Sequence, residues 1–262
     1  MDLLYILTGA FVGFIIGLTG VGGGSLMTPI LVLCFGIAPS IAVGTDLLYA
    51  AITKCGGVFF HNRNGTIEWK IVGLLASGSI PTSILTIFAL KWLTFLHLDY
   101  EKIMTLTLSI MLIITSVVVV MKDRLLAYMH STGELNKTQP KRRQRIRAYL
   151  TFMCGILLGF VVTISSVGAG AIGAAVLFLL YPAKPSSSIV GTDIAHAVPL
   201  TAIAGFGHIQ LGFVDFQLLC GLLIGGLPAI YLGSHIGKTM PESILRPVVA
   251  LVLFVLGVRF AF

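Results

Sequence analysis

Ten apolar stretches, separated by glycine, proline or charged residues, make up most of the chain. They lie at approximately 3–19, 25–36, 41–60, 66–90, 103–121, 148–163, 168–181, 187–207, 213–233 and 243–260. Several approach the roughly 20 residues that a helix needs to cross the hydrocarbon core, whereas 25–36 and 168–181 are too short for a comfortable crossing. The pattern predicts an all-α integral membrane protein with about 8–10 membrane segments, including short or re-entrant half-helices at glycine-rich breaks.

The composition agrees with this prediction. Hydrophobic residues make up 56% of the chain and charged residues only 10%, whereas about a quarter of the residues in soluble proteins are charged. The first twenty residues carry Asp2 instead of a basic start and run directly into a glycine-rich stretch. They are therefore expected to be a retained membrane segment and not a removable signal peptide.

The positive charge is concentrated in one place. Eight of the 17 Lys and Arg residues fall within 122–147, which is the one long polar segment of the sequence. Short basic loops stay in the cytoplasm, so this loop is predicted to be cytoplasmic and both termini to lie outside. Its basic residues also suit anionic lipid, but topology alone accounts for them, and no nucleic-acid partner is predicted. The predicted organisation is a first membrane repeat at 1–121, the loop at 122–147, and a second repeat at 148–262.

The two halves are related in sequence at a nearly constant spacing. Residues 21–24 (VGGG) match 167–170 (VGAG), and residues 43–46 match 190–193, both VGTD. Further matches pair Gly13 with Gly159, His61 with His208, Gly65 with Gly212, Gly78 with Gly225, and Pro81 with Pro228. Five segments in each half place the second copy in the opposite orientation. An inverted repeat with interrupted helices is typical of secondary transporters, whose sites lie near the membrane midplane between the repeats.

The glycine runs are candidate anion sites. A helix break at membrane depth exposes the N-terminus of the next half-helix, with free N–H groups and a positive partial charge. The residues assigned to this role are Gly22, Gly23, Gly24 and Ser25 in the first half, and Gly168 and Gly170 in the second. The half-helix is expected to begin at Gly24 or Ser25. Close helix packing through small residues is the alternative. A nucleotide loop is disfavoured because Ser25 replaces the third glycine of the dinucleotide fingerprint.

Two acidic residues, Asp46 and Asp193, lie well inside apolar segments at matching repeat positions. Ionisable groups at membrane depth mark functional sites by default, so both are candidates for coupling to a proton or sodium ion, with helix capping as the alternative. His196 lies one turn beyond Asp193 and is a candidate both for ion coupling and for binding the anion. The alternative is that it is a hydrogen-bonded packing residue. Lys54 has three open roles: pairing with Asp46, reaching an interface, or neutralising an anionic substrate.

The sequence gives no indication of an enzyme, a metal site or a cofactor. No HExxH or GxSxG motif is present, and the four cysteines lie in apolar runs without metal-ligand spacing. The 61–65 and 208–212 stretches, HNRNG and HIQLG, are predicted to form matching interfacial turns that end in glycine.

The combined pattern of GLTGVGGGSLMTP, AVGTDLLYAAITK, SSVGAGAIG, VGTDIAHAVPLTAIAGFGHIQLG and GGLPAIYLGSHIG resembles the sulfite exporter TauE/SafE family, also called the toluene sulfonate uptake permease family. The resemblance implies a carrier in the bacterial inner membrane that moves sulfur-containing anions, generally outward. The implied partners are a small sulfonate, such as sulfoacetate, or sulfite, together with membrane lipid and a coupling H⁺ or Na⁺. A homodimer is compatible with the sequence.

With the family in view, hydroxyls become candidate donors to the sulfonate oxygens: Ser25, Thr45, Ser165, Ser166 and Thr192. The second glycine run departs from the first, since Ala169 replaces the middle glycine, so full two-fold symmetry of a substrate site is not expected. The alternative functions are a passive anion channel and an uptake permease for sulfonates.

Overall fold

The computed structural model describes residues 3–19, 24–96, 98–133, 141–236 and 242–261, and every regular element in these ranges is an α-helix. The helices are α1 (Leu3–Thr19), α2 (Gly24–Phe35), α3 (Pro39–Arg63), α4 (Trp69–Phe95), α5 (Tyr100–Gly133), α6 (Lys141–Ser165), α7 (Ala171–Leu180), α8 (Ser186–Gln210), α9 (Phe216–Ile236) and α10 (Glu242–Ala261). The predicted all-α class is therefore confirmed, and α2 and α7 are the two short helices that follow the glycine runs.

Six helical stretches in the described part of the chain are long and apolar enough to cross a membrane. They are α3, α4, α8 and α9, together with residues 100–121 of α5 and 144–165 of α6. Large apolar side chains such as Leu85, Phe88 and Phe206 are exposed on the outside of the bundle. In water such an apolar surface would favour aggregation, but in a membrane it is the surface expected to face lipid.

The predicted central loop is largely helical at its two ends. Helix α5 continues to Gly133 and α6 begins at Lys141, so both extend into the 122–147 segment. The segment is polar, but Lys, Arg, Leu and Ala are good helix formers, which is why a change in hydropathy does not end the helices. Residues 134–140 lie outside the described residues.

The two halves are interlocked. Helix α1 packs mainly against α9, and α6 packs mainly against α4. These are equivalent pairs, because α1 and α6 open their halves and α4 and α9 are the fourth helices. Helices α3 and α8 pack against each other, as do α5 and α10. The first helix of each half therefore packs against the fourth helix of the other half. Helices α3 and α8 form the central pair.

Helices α3 and α8 run in opposite directions. Thr45, near the start of α3, accepts a hydrogen bond from the N–H of Asp215, which lies beyond the end of α8 (3.1 Å). Thr192, near the start of α8, accepts one from the N–H of Glu68, beyond the end of α3 (3.0 Å). Equivalent helices that pack antiparallel are related by a two-fold axis perpendicular to them. This is the geometry of an inverted repeat.

Both helices end in the predicted glycine turn. Gly65 and Gly212 have positive φ angles of 64° and 76°, which only glycine adopts without strain. In each turn the amide that follows the glycine returns to a histidine carbonyl, from Thr66 to His61 (3.0 Å) and from Phe213 to His208 (2.9 Å). The prediction of matching turns is confirmed, and the two turns lie at the ends of the antiparallel pair.

Glycines allow the interlocking helices to approach closely. Gly9, Gly13 and Gly17 of α1 lie against the backbone of α9, and Gly155 and Gly159 of α6 lie in the same way against the backbone of α4. A Cβ atom at Gly13 would meet the carbonyl oxygen of Gly226 at 2.6 Å. Small residues spaced by four are a common basis of helix association in membranes, where apolar burial gives little driving force.

Replacement of Gly13 by alanine is expected to destabilise the protein. The added methyl must push α1 away from α9, and overpacking of this kind costs about 1–3 kcal/mol. Gly73→Ala in α4 is the matched control, because nothing lies within 4 Å of a Cβ there and alanine favours the helix. Thermal unfolding of the detergent-purified proteins measures the difference; equal midpoints for the two variants would refute the close packing.

Candidate functional site

The break between α6 and α7 is the most irregular backbone in the described interior. Ser166 has a φ angle of 57°, and Gly168 and Gly170 have φ angles of 117° and 143°. Glycine tolerates such angles, but Ser166 is in a region that side chains rarely adopt, at a cost of about 1–2 kcal/mol. The chain therefore reverses sharply here before α7 begins at Ala171, as the second glycine run predicts.

Two serines at the break have different roles. The Ser165 hydroxyl donates to the carbonyl of Val161 (2.8 Å) and accepts from the N–H of Val167 (3.2 Å), so it closes the end of α6. The Ser166 hydroxyl is only 3% exposed and lies beside the Asp46 carboxylate, although it forms no well-aligned hydrogen bond with a described residue. A buried hydroxyl requires an acceptor, which either the Asp46 carboxylate or a bound anion can supply.

Among the described residues, the first amides of α7 have no acceptors. The N–H groups of Gly173 and Ala174 bond to the carbonyls of Gly168 and Gly170, each at 3.1 Å. In contrast, the N–H groups of Gly170, Ala171 and Ile172 make no hydrogen bond to a described residue. Together with the helix dipole, free amides make a helix start attractive to anions.

Lys54 brings a cation from the other half of the chain to this break. Its Nζ donates a hydrogen bond to the carbonyl of Ala169 at 2.7 Å. The ammonium also interacts electrostatically with both Asp46 and Asp193, although neither carboxylate lies within salt-bridge distance. The sequence leaves three roles open for Lys54. The geometry disfavours the one in which the side chain extends to the membrane interface. The position of the ammonium at the break, between the two carboxylates, suits both pairing with Asp46 and neutralising an anionic substrate.

The two aspartates are buried in the first halves of α3 and α8, and therefore toward opposite ends of the antiparallel pair. One oxygen of Asp46, Oδ2, accepts a hydrogen bond from the Thr28 hydroxyl of α2 (2.6 Å), and Oδ1 has no partner among the described residues. The Ser166 side chain lies beside this carboxylate. Neither aspartate caps its own helix, since α3 begins at Pro39 and α8 at Ser186, each several residues earlier.

Asp193 has a different environment from Asp46. It is 2% exposed, and its Oδ1 lies against the Cα of Gly173 in α7, where a side-chain carbon would overlap with the oxygen. No described hydroxyl or amide donates to either of its oxygens, and Oδ1 is fully buried. A carboxylate held in this way has no donor to compensate for the loss of water.

His196 lies one turn beyond Asp193 on α8. Its Nε2 is 2.8 Å from the Ser79 hydroxyl of α4, and its Nδ1 has no described partner. The equivalent residue in the first half is Tyr49, whose buried hydroxyl lies against Gly226, the equivalent of Ser79. The larger Tyr49 ring faces glycine, and the smaller His196 ring faces serine. The two halves thus fill the same space with different polar groups.

The structure brings together Asp46, Lys54, Ser166, Gly168 and Gly170, with Asp193 and His196 on the adjoining face of α8. Thr45 and Thr192 are placed differently, because their hydroxyls accept from the backbone at the starts of α9 and α4. Helix α2 begins at Gly24, as expected. Gly22 and Gly23 lie outside the described residues, as does the side chain of Ser25.

Three further groups contribute that the sequence reasoning did not identify: the Thr28 hydroxyl, the Ser79 hydroxyl and the carbonyl of Ala169. Thr28 is a polar residue in an otherwise apolar half-helix, and Ser79 lies between the repeated Gly78 and Pro81. Both residues could therefore have been identified from the sequence as candidate polar groups of the site. A backbone carbonyl such as that of Ala169 carries no signal in the sequence.

The fold defines the class first: a multi-pass helical membrane protein with inverted halves. The family model described as Sulfite exporter TauE/SafE matches residues 5–260. The chain belongs to the TauE/SafE family. The resemblance noted from the sequence is confirmed.

Curated relatives cover the whole chain. The probable membrane transporter protein YjnA of Bacillus subtilis is 38% identical over 259 residues, which is 99% of each chain. YdhB of the same organism is 28% identical over 260 residues, or 99% of this chain and 100% of its own. The probable membrane transporter protein MJ0441 of Methanocaldococcus jannaschii is 28% identical over 276 residues, or 97% and 93% of the two chains. No solved structure matches the chain significantly.

Thr192→Val is expected to lower the stability of the folded protein and to leave its anion affinity unchanged. The variant removes the acceptor for the Glu68 N–H, and a lost hydrogen bond of this kind costs about 1 kcal/mol. Thr107→Val is the matched control, since the Thr107 hydroxyl is exposed and bonds only within its own helix. Thermal unfolding and anion binding are measured on both variants. A normal unfolding midpoint with reduced anion affinity would restore Thr192 to the substrate site.

Proposed function

We propose that the chain is a secondary transporter that exports a small sulfur-containing anion, such as sulfoacetate, another sulfonate or sulfite, by alternating access. The observation that carries this proposal is the position of the Lys54 ammonium at the helix break of the opposite half. Membership of a family described as sulfite exporters supports the choice of anion.

The donor set suits a tetrahedral or pyramidal oxyanion. The available donors are the Ser166 hydroxyl, the ammonium of Lys54, and the amides of Gly170, Ala171 and Ile172, for which the described part of the chain offers no acceptor. Sulfonate and sulfite offer only acceptor oxygens, and several donors together compensate for the loss of their hydration. An anion also gains from the positive charge of Lys54, whereas an uncharged substrate does not and a cation is repelled.

The antiparallel α3 and α8 pair suits alternating access. The site residues come from both halves, with Asp46 and Lys54 on α3, Asp193 and His196 on α8, and Ser166 at the break. In carriers with inverted repeats, rocking of one repeat against the other exposes such a site to each side in turn. The energy source is either the membrane potential, which drives a monoanion outward at about 2.3 kcal/mol per 100 mV, or coupling to H⁺ or Na⁺ through Asp46, Asp193 and His196.

The proposed setting is the bacterial inner membrane, with the 122–147 segment in the cytoplasm and both termini outside. The support is the positive-inside rule applied to the eight basic residues of that segment. The proposed partners are the anion, the coupling ion and lipid.

Purified protein in liposomes should exchange sulfite or isethionate across the membrane with saturation and counterflow. A carrier moves one substrate per conformational cycle, so unlabelled anion on one side accelerates the flux of labelled anion from the other. Protein-free liposomes are the control. Large single-channel currents would instead indicate a passive channel, and no flux of any small sulfonate or sulfite would refute the proposal.

Lys54→Gln should weaken anion affinity by about tenfold or more, equivalent to about 1.4 kcal/mol, because it removes the cation that the described helices place at the break. Lys54→Arg should retain more of the affinity, since it keeps the charge but changes the donor geometry. Lys70→Gln, at an exposed lysine in the first turn of α4, is the matched control. Binding is measured by thermal shift or calorimetry. Equal affinity in Lys54→Gln and Lys70→Gln would leave Lys54 with a structural role.

A further inference from the structure

Asp46 and Asp193 are equivalent in sequence, but the structure gives them unequal surroundings. On the basis of the function proposed above, we propose that the two have different tasks. Asp46 remains a carboxylate that balances Lys54. Asp193 binds one proton whenever the anion is bound, so the carrier moves a monoanion together with one proton.

The hydrogen bonds distinguish the two carboxyl groups. Asp46 receives the hydroxyl of Thr28 at 2.6 Å, and a donor of this kind stabilises a carboxylate. Asp193 receives no donor from the described residues, and its Oδ1 is pressed against Gly173. The repeat explains this difference. With the spacing of either flanking motif, the residue equivalent to Thr28 is Ala174 or Ala175, and neither has a hydroxyl.

The groups that face Asp193 from each neighbouring element leave few other titratable candidates. Helix α3 presents Lys54 to Asp193, with His61 near its end against Gly191; α8 itself adds His196, whose Nε2 meets Ser79 of α4, and α7 adds Gly173. Asp46 lies on the other side of Lys54, Tyr49 lies against Gly226, and His208 lies against Gly44 toward the other end of the helix pair. The Glu68 and Lys184 side chains pair with each other. Among the described residues, the ionisable acid and base groups around Lys54 are therefore one ammonium and two carboxyl groups.

Charge balance then links the proton to the anion. With Lys54 and Asp46 both ionised, their charges cancel. The empty site has one negative charge if Asp193 is ionised, and the site with a bound monoanion has the same charge if Asp193 is protonated. An ionised Asp193 beside a bound anion would add a second buried negative charge, which is strongly unfavourable at membrane depth.

Each transport cycle takes up one proton on Asp193 and releases it again. On the side where the anion enters, an O–H bond forms between a proton from water and an Asp193 oxygen. On the other side the bond breaks, and the proton and the anion leave together. Because no net charge crosses, the direction follows the anion and pH gradients and not the membrane potential. An anion that accumulates in the cytoplasm is exported down its own gradient.

The test uses full-length protein in liposomes and methanesulfonate or isethionate, which remain monoanions between mildly acidic and mildly alkaline pH. A pH dye inside the vesicles counts protons, labelled anion counts substrate, and a potassium ionophore sets the membrane potential. The wild-type protein should move one proton per anion and be insensitive to potential. Asp193→Asn should move the anion without protons and become sensitive to potential.

Two further variants make the assignment specific. Asp46→Asn removes the counter-charge of Lys54 and should therefore strengthen anion binding, but a proton should still cross with each anion. His196→Gln should also retain proton movement. Loss of proton movement in His196→Gln, or its persistence in Asp193→Asn, would overturn the assignment of Asp193.

The wild-type stoichiometry tests the proposal even if Asp193→Asn fails to fold. Anion flux that carries charge and no protons in the wild-type protein would overturn proton coupling while the transport function stands. Absence of flux for every sulfonate and for sulfite would instead remove the transport function itself.

Discussion

Backbone donors at membrane depth must be satisfied by protein, water or ligand, and this constraint governs the centre of the molecule. The chain breaks between α6 and α7, and the amides that begin α7 have no acceptor among the described residues. Only glycine allows the sharp reversal at Gly168 and Gly170 without strain. The residues that form the break are mostly buried within the bundle, so that its donors are shielded from hydrocarbon.

The bundle around the break has two-fold symmetry, but the site within it does not. The pairs of packed helices, the terminal glycine turns and the threonine contacts repeat in both halves. Lys54 has Thr201 as its equivalent, and Thr201 only bonds within its own helix. Thr28 has alanine as its equivalent. A symmetric frame suits alternating access because the inward and outward states can have similar energies. An asymmetric site gives the anion and the proton separate partners.

Hydropathy and repeat matching predicted much of the fold from the sequence. The predicted segments correspond to all ten helices within a few residues at most ends, and the short α2 and α7 follow their glycine runs as expected. The helical extensions into the 122–147 segment could not be predicted from hydropathy, because helix formation there depends on propensity and not on membrane burial.

The site was only partly predictable. Buried charge in apolar sequence is rare enough to identify Asp46, Asp193 and Lys54 directly. The meeting of Lys54 with Ala169 could not be inferred, since it depends on how two distant helices pack and on a carbonyl group that every residue has. Thr45 and Thr192 look identical to ligand-binding hydroxyls in the sequence. Their backbone partners, Asp215 and Glu68, become evident only when α3 and α8 are placed antiparallel.

The central claim is that the anion binds at the break, between Lys54 and the start of α7. Selenite has the shape and charge of sulfite, and its selenium atom can be located by anomalous scattering in crystals of the protein. The account predicts a selenium site within hydrogen-bond distance of the Lys54 ammonium and the Ser166 hydroxyl, through the selenite oxygens. Selenium bound only elsewhere, with this position empty at saturating selenite, would contradict it.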